Sequence, residues 1–152
     1  MPSYGALMTE TDSLGVQRAY LATDENYRII KDMHDRNVII PFTGDFAGPK
    51  ALRAFGQYVR DNKAVVQAIY VSNVEQYLWQ DPNNPRLYYE NVATLPTDLT
   101  TVFIRSATRG LMNRQQSTNS PQNELLCPVA DHLKAWNEGK IRGYGDVFSY
   151  CK

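Results

Sequence analysis

The stretch that decides the fold is "VIIPFTGDFAGPKALRAFGQYVR", residues 38–60. It changes character twice. Val38 to Phe42 form a short, β-branched, apolar run without polar alternation, which suits a strand buried on both faces of a sheet. Pro41 restricts its place, because proline donates nothing to a ladder and belongs near a strand end or on an edge. The segment from Gly44 to Gly48 then reads as a turn. Pro49 follows at the favoured first helical position, and Leu52, Phe55, Gly56 and Val59 line one face of the helix it opens.

Outward from there, "AVVQAIYVSNV" (64–74) reads as a second strand. Strand, helix and strand make a right-handed βαβ unit with parallel strands across residues 38–71. "EQYLW" (75–79) adds one or two helical turns, and "DPNNPR" (81–86) reads as a loop. "TTVFIRS" (100–106) is a third strand. "NRQQSTNSPQN" (113–123) is polar and reads as the most mobile segment. Val129, Leu133 and Trp136 then place an amphipathic helix, ended by Gly139, and "YGDVFSY" (144–150) closes the chain as a short helix.

Upstream, residues 1–20 show no sustained period and read as an irregular or partly helical arm. Thr23 is an N-cap with Asp24 and Glu25 in the first turn, where the helix dipole favours them. Tyr27, Ile30 and Met33 form the apolar stripe, and Asn37 is the stop. The expectation is one α/β domain over 1–152. It would carry a partial Rossmann-like sheet of about three strands, the first two at least parallel, flanked by helices.

Bulk properties narrow the function classes. The chain has 152 residues, enough for one buried core, and 16 basic residues balance 16 acidic ones. A neutral balance gives no electrostatic basis for non-specific binding to nucleic acid or an anionic membrane. No apolar stretch approaches the roughly 20 residues needed to span a bilayer. Nor does the N-terminus have the basic start and apolar run of a signal peptide. Two cysteines, Cys127 and Cys151, are too few to staple such a domain, and the reading is a reduced, cytoplasmic protein with free thiols.

In open α/β sheets ligands bind beyond the carboxyl ends of the strands. Three stretches converge there if the three strands are neighbours: "TGDFAG", "SNVEQ" and "RS". The polar groups they offer are Asp45, Ser72, Asn73, Glu75 and Arg105, with Gly44 and Gly48 shaping the turn. Structural roles compete with a binding role. The glycines permit a tight turn and close helix packing, Asp45 caps amides, and Arg105 is its salt-bridge partner.

Other motifs fail on chemistry. From Gly44 to Lys50 the spacing is one short of a P-loop, and Ala51 stands where a magnesium-binding hydroxyl is required. "GYGDVF" has two glycines and no preceding strand. His34 and His132 lie far apart, each near an apolar stripe, and read as boundary residues. Cys127 near His132 lacks further ligands, so no metal site is expected. No Ser-His-Asp arrangement is readable. Tyr88 and Tyr89 read as packing residues.

Two stretches, "GDFAGPKALRA" and "YVSNVEQYL", carry a resemblance that runs from "YGALMTETDSLGVQRAYLATDENYRIIKDM" to "IRGYGDVFSY". The chain resembles the C-terminal half of a family of uncharacterised bacterial proteins regarded as methyltransferase-like. The resemblance implies a Rossmann-like architecture with S-adenosylmethionine as cofactor, and supplies no substrate or catalytic residue. It also implies an N-terminal half, absent before Met1, that would hold the glycine-rich nucleotide turn and the ribose-binding acid. On that reading Asp45, Asn73 and Glu75 orient a small-molecule or macromolecular substrate, and Arg105 pairs with an anionic group. The isolated chain would bind no cofactor and be inactive. The alternative is a non-catalytic binding or scaffold module that self-associates through an open sheet edge, or pairs with the missing half.

Overall fold

The computed structural model describes residues 3–12, 14–108 and 122–151. It divides into two compact units, Met1–Phe42 and Thr43–Lys152.

The first unit is helical. Helix α1 spans Tyr4–Thr9, with the Ser3 hydroxyl accepting from the Ala6 amide. Thr11 and Gln17 form a single antiparallel bridge around Gly15, whose φ is +75°. Helix α2 spans Asp24–Asp35. Thr23 caps it as expected, its hydroxyl accepting from the Asn26 amide at 3.1 Å. Asn37 stops it in the left-handed region at φ +53°.

Val38–Phe42 is not a strand, so the βαβ unit expected across 38–71 does not form. Val38, Ile40 and Phe42 are each more than half exposed. Pro41 removes one ladder donor from a five-residue run, and the run is not one of the paired strands of the sheet.

The second unit holds helices α3 (Ala51–Asp61), α4 (Val74–Leu78), α5 (Asn84–Val92) and α6 (Val129–Asn137), and a 3₁₀ helix over Tyr144–Tyr150. Its sheet contains β1 (Ala68–Ser72), β2 (Val102–Thr108) and β3 (Gln122–Pro128), in the order β1-β2-β3. β1 runs parallel to β2, and β3 runs antiparallel to β2. The architecture is therefore mixed α/β with three strands, as expected in class and number. The parallel crossover is β1-α4-α5-β2, one step later in the chain than the sequence suggested.

Three local readings change with it. "DPNNPR" is only half a loop, because α5 begins at Asn84 with Pro85 in its first turn, where a missing amide costs nothing. β3 had no place in the expectation, although Leu125 and Cys127 alternate inward with Glu124 and Leu126 outward. Most of the polar stretch 113–123 lies outside the described residues. Cys127 and Cys151, expected as free thiols, form a disulfide. Sequence separation hid this: the 3₁₀ helix returns the chain end to β3 and places the two Cα atoms 4.0 Å apart.

One sheet face carries the core. Val71, Phe103, Arg105, Ala107, Leu125 and Cys127 are buried on it, against Tyr88, Tyr89 and Val92 of α5 and Val129 and Ala135 of α6. The other face carries Tyr70, Ile104 and Leu126 in direct register across all three strands. Tyr70 is 62% exposed and Leu126 50%.

Candidate functional site

The strand ends do gather polar groups, and the bulge at the end of β1 decides which. Tyr70 pairs with Ile104 and Ser72 with Arg105, so the register slips at Val71. Ser72 takes a φ of +44°, and the chain turns directly into α4. That turn carries Glu75 back over the sheet, where it meets Arg105 of β2. Nε of Arg105 donates to Oε2 of Glu75 at 2.6 Å, and Nη2 donates to Oε1 at 2.8 Å. Tyr89 of α5 donates its hydroxyl to the same Oε1 at 2.7 Å. Both charged side chains are almost wholly buried.

His132 completes the cluster from α6. Nη2 of Arg105 makes a long 3.4 Å contact with Nε2 of His132. Guanidinium has no acceptor, so Nε2 accepts and the proton sits on Nδ1. Aromatic rings enclose the group. The Arg105 guanidinium carbon lies 4.2 Å from the Phe103 ring centroid. The His132 centroid is 4.8 Å from that of Tyr89 and 5.3 Å from that of Phe103. Tyr150 meets His132 edge-on from the 3₁₀ helix.

Burial dominates the electrostatics. Loss of water drives the His132 pKa far below its usual value, and the Arg105 charge pushes the same way, so the ring is neutral. For Arg105 burial disfavours the charge, but the hydrogen bonds and charge of Glu75 more than offset it, and the pKa rises. Burial and then the Glu75 charge raise Tyr88 and Tyr89. Half-buried Tyr144 is raised for the same two reasons.

Among the described residues, three buried polar atoms lack a partner: Tyr88 Oη, Arg105 Nη1 and His132 Nδ1. Orphaned buried groups of this kind are rare in folded proteins.

The turn 43–50 plays a different part. Asp45 caps its own turn, Oδ1 accepting from the Ala47 amide at 2.9 Å. Asn91 of α5 holds the turn from inside, its Nδ2 donating to the carbonyls of Phe46 at 3.0 Å and Gly48 at 2.8 Å. Phe46 then packs edge-on against Tyr88. Gly44 is required sterically, since a Cβ there would overlap that of Ala51. Asn73 is an exposed α4 cap residue, and Ser72 is the half-buried hinge into that helix. Of the sequence-derived set, then, the structure brings together Glu75 and Arg105. The salt-bridge partner proposed for Arg105, Asp45, is replaced by Glu75.

The chain belongs to the family described as a domain of unknown function, DUF7790, whose model matches residues 4–140. Comparison with curated proteins gives no match. The family match takes in Glu75, Tyr88, Tyr89, Arg105 and His132, and stops before the 3₁₀ helix that carries Tyr144 and Tyr150.

Sequence reasoning missed His132, Tyr89 and Asn91 as members of a polar core. A signal for His132 existed: with Val129 and Trp136 it lies on the inward stripe of α6 at three- and four-residue steps. Among the described residues no group of three metal-ligating side chains occurs, and no helix is long and apolar enough to cross a membrane.

Proposed function

We propose that this chain is a non-catalytic binding module that pairs with a second copy of itself through the outer face of its sheet. The observation that carries the reading is the row Tyr70–Ile104–Leu126, one residue from each strand, directly in register. Val102 and Pro128 continue it in the next row, while Ser106 and Glu124 close it with a 2.7 Å hydrogen bond. A lone exposed leucine needs no explanation, but an ordered apolar row across a whole sheet does.

The chemistry of the face favours a second copy as occupant. None of its paired positions from 68 to 70, 102 to 106 or 124 to 128 that faces outward carries Lys or Arg, so it has nothing to attract nucleic acid or an anionic lipid surface. The chain as a whole has no net charge to oppose self-association. Two such faces related by a two-fold axis present the same row to each other, the usual geometry of a closed dimer.

The methyltransferase reading implied by resemblance would need polar groups free to meet a substrate. Glu75 and Arg105 are engaged with each other in the core, and Asp45 serves its own turn. Sedimentation of the protein across a hundredfold concentration range tests the proposal, with Leu126→Asp as the variant. Dimerisation lost on substitution is the expected result. A monomer at all concentrations removes the module reading. Calorimetric binding of S-adenosylmethionine would restore the methyltransferase one.

A further inference from the structure

We propose that the Cys127–Cys151 disulfide is a redox-active site, opened by a dithiol reductant that enters from α6, and that its reduction releases the C-terminal 3₁₀ helix. Three observations place the chemistry. The bond links the end of β3 to the residue following the 3₁₀ helix, so it is the covalent tie between that helix and the sheet. The two cysteines are both buried but unequally, Cys127 being fully enclosed while Cys151 keeps 8% of its surface exposed. Cys151 also lines a groove of about 370 Å³ together with Asp131, Lys134, Glu138, Lys140 and Tyr150. A groove of that volume takes a small molecule or an extended thiol-bearing segment.

The asymmetry sets the direction of exchange. A thiolate of the reductant attacks the Cys151 sulfur, the S–S bond breaks, and Cys127 leaves as a thiolate that takes up a proton. The second thiol of the reductant then attacks its own sulfur in the mixed disulfide. Cys151 is released as a thiol and the reductant becomes a disulfide. Two electrons pass from the dithiol to the protein, and no other reactant is needed.

The structural consequence lies directly beneath. Val147 and Phe148 of the 3₁₀ helix are buried, Tyr150 packs on His132, and Tyr144 sits in the field of Glu75 and Arg105. Tyr150 thus covers one edge of the His132 ring, beside the cluster that holds the unpartnered Arg105 Nη1 and His132 Nδ1. Freed from β3, the helix retains its side-chain packing and loses its anchor. The reduced form therefore exposes the polar cluster intermittently, and the oxidised form keeps it shut.

The experiment uses the purified, native full chain without denaturant. Glutathione is first added briefly as a monothiol probe, and peptide mapping locates the adduct. Dithiothreitol then reduces the protein, and hydrogen exchange is compared before and after. Expected are the glutathione adduct on Cys151, complete reduction in the folded state, and at least tenfold faster amide exchange confined to residues 144–150. The double variant Cys127→Ser/Cys151→Ser should show that same exchange pattern with an unchanged far-ultraviolet spectrum. Reduction that requires denaturant, an adduct on Cys127, or unchanged exchange over 144–150 would each overturn the proposal.

Discussion

Arg105 grips Glu75 with two parallel hydrogen bonds, of 2.6 and 2.8 Å, inside a core where neither side chain meets water. The pair joins the first turn of α4 to the middle of β2, and Tyr89 ties α5 to it. Taking two charges out of water is costly, and a buried pair of this type stabilises little over an apolar replacement. Its value lies in specification. Only one arrangement of α4, α5 and β2 satisfies both charges.

Breaking it from one side is therefore severe. Glu75→Gln leaves the Arg105 charge buried without an anion, and a loss of about 3–5 kcal/mol in unfolding free energy is expected. Chemical denaturation measures it. The double replacement Glu75→Leu/Arg105→Met should recover most of that loss. Equal destabilisation of the single and double variants would show that the pair does not act as a unit.

His132 makes stability depend on pH. Its folded pKa is depressed by burial and by Arg105, whereas the unfolded ring titrates near 6.5. Below pH 6.5 the unfolded state binds a proton that the folded state refuses, so stability falls as pH falls, from about 6.5 down towards the folded pKa. The slope contributed by this one group approaches about 1.4 kcal/mol per pH unit. His132→Gln retains an acceptor for Arg105 and cannot charge. Unfolding curves between pH 4 and 7 should be flatter for it by nearly one proton.

The legible parts of the fold were those governed by local chemistry. Thr23, Asn37 and Gly139 delimit their helices because capping oxygens and left-handed backbones act within a turn. Parallel pairing was expected from a strand-helix-strand order, but between Val38–Phe42 and residues 64–74, a pair that does not form; the parallel strands are β1 and β2, joined through α4 and α5. Val38–Phe42 and Ala68–Ser72 look alike as β-branched runs, and only long-range pairing separates them. The site divided the same way. Glu75 could be named because it follows a strand and Arg105 because it lies towards the end of one, whereas the disulfide depends on a chain end returning across 24 residues.

Asn91 tests the role of the turn after Val38–Phe42. Its amide donates to two carbonyls and its oxygen accepts from Arg53 Nε at 2.8 Å, so all three contacts depend on a correctly oriented amide. Asn91→Asp turns two donors into acceptors that face carbonyl oxygens. A loss of about 2–3 kcal/mol is expected, with faster amide exchange over residues 44–50. Proteolysis at low enzyme concentration should cut that turn first. An Asn91→Asp protein as stable as the parent would show that the turn is held elsewhere.

Gly44 decides whether that turn is a packing device. A Cβ at residue 44 would overlap the Cβ of Ala51, the first residue of α3, and neither atom sits at the end of a flexible chain that could move aside. Gly44→Ala should therefore push the turn off α3 and cost about 1–3 kcal/mol, as overpacking does. The same clash has a second solution. Ala51→Gly removes the opposing methyl group, at an expected cost of up to about 1 kcal/mol in helix propensity. The double variant Gly44→Ala/Ala51→Gly should then be more stable than Gly44→Ala alone, even though each change separately destabilises. Thermal unfolding of the four proteins in this cycle gives the coupling directly. Additive losses would mean that Gly44 is needed for its backbone rather than for the close approach of the turn to α3.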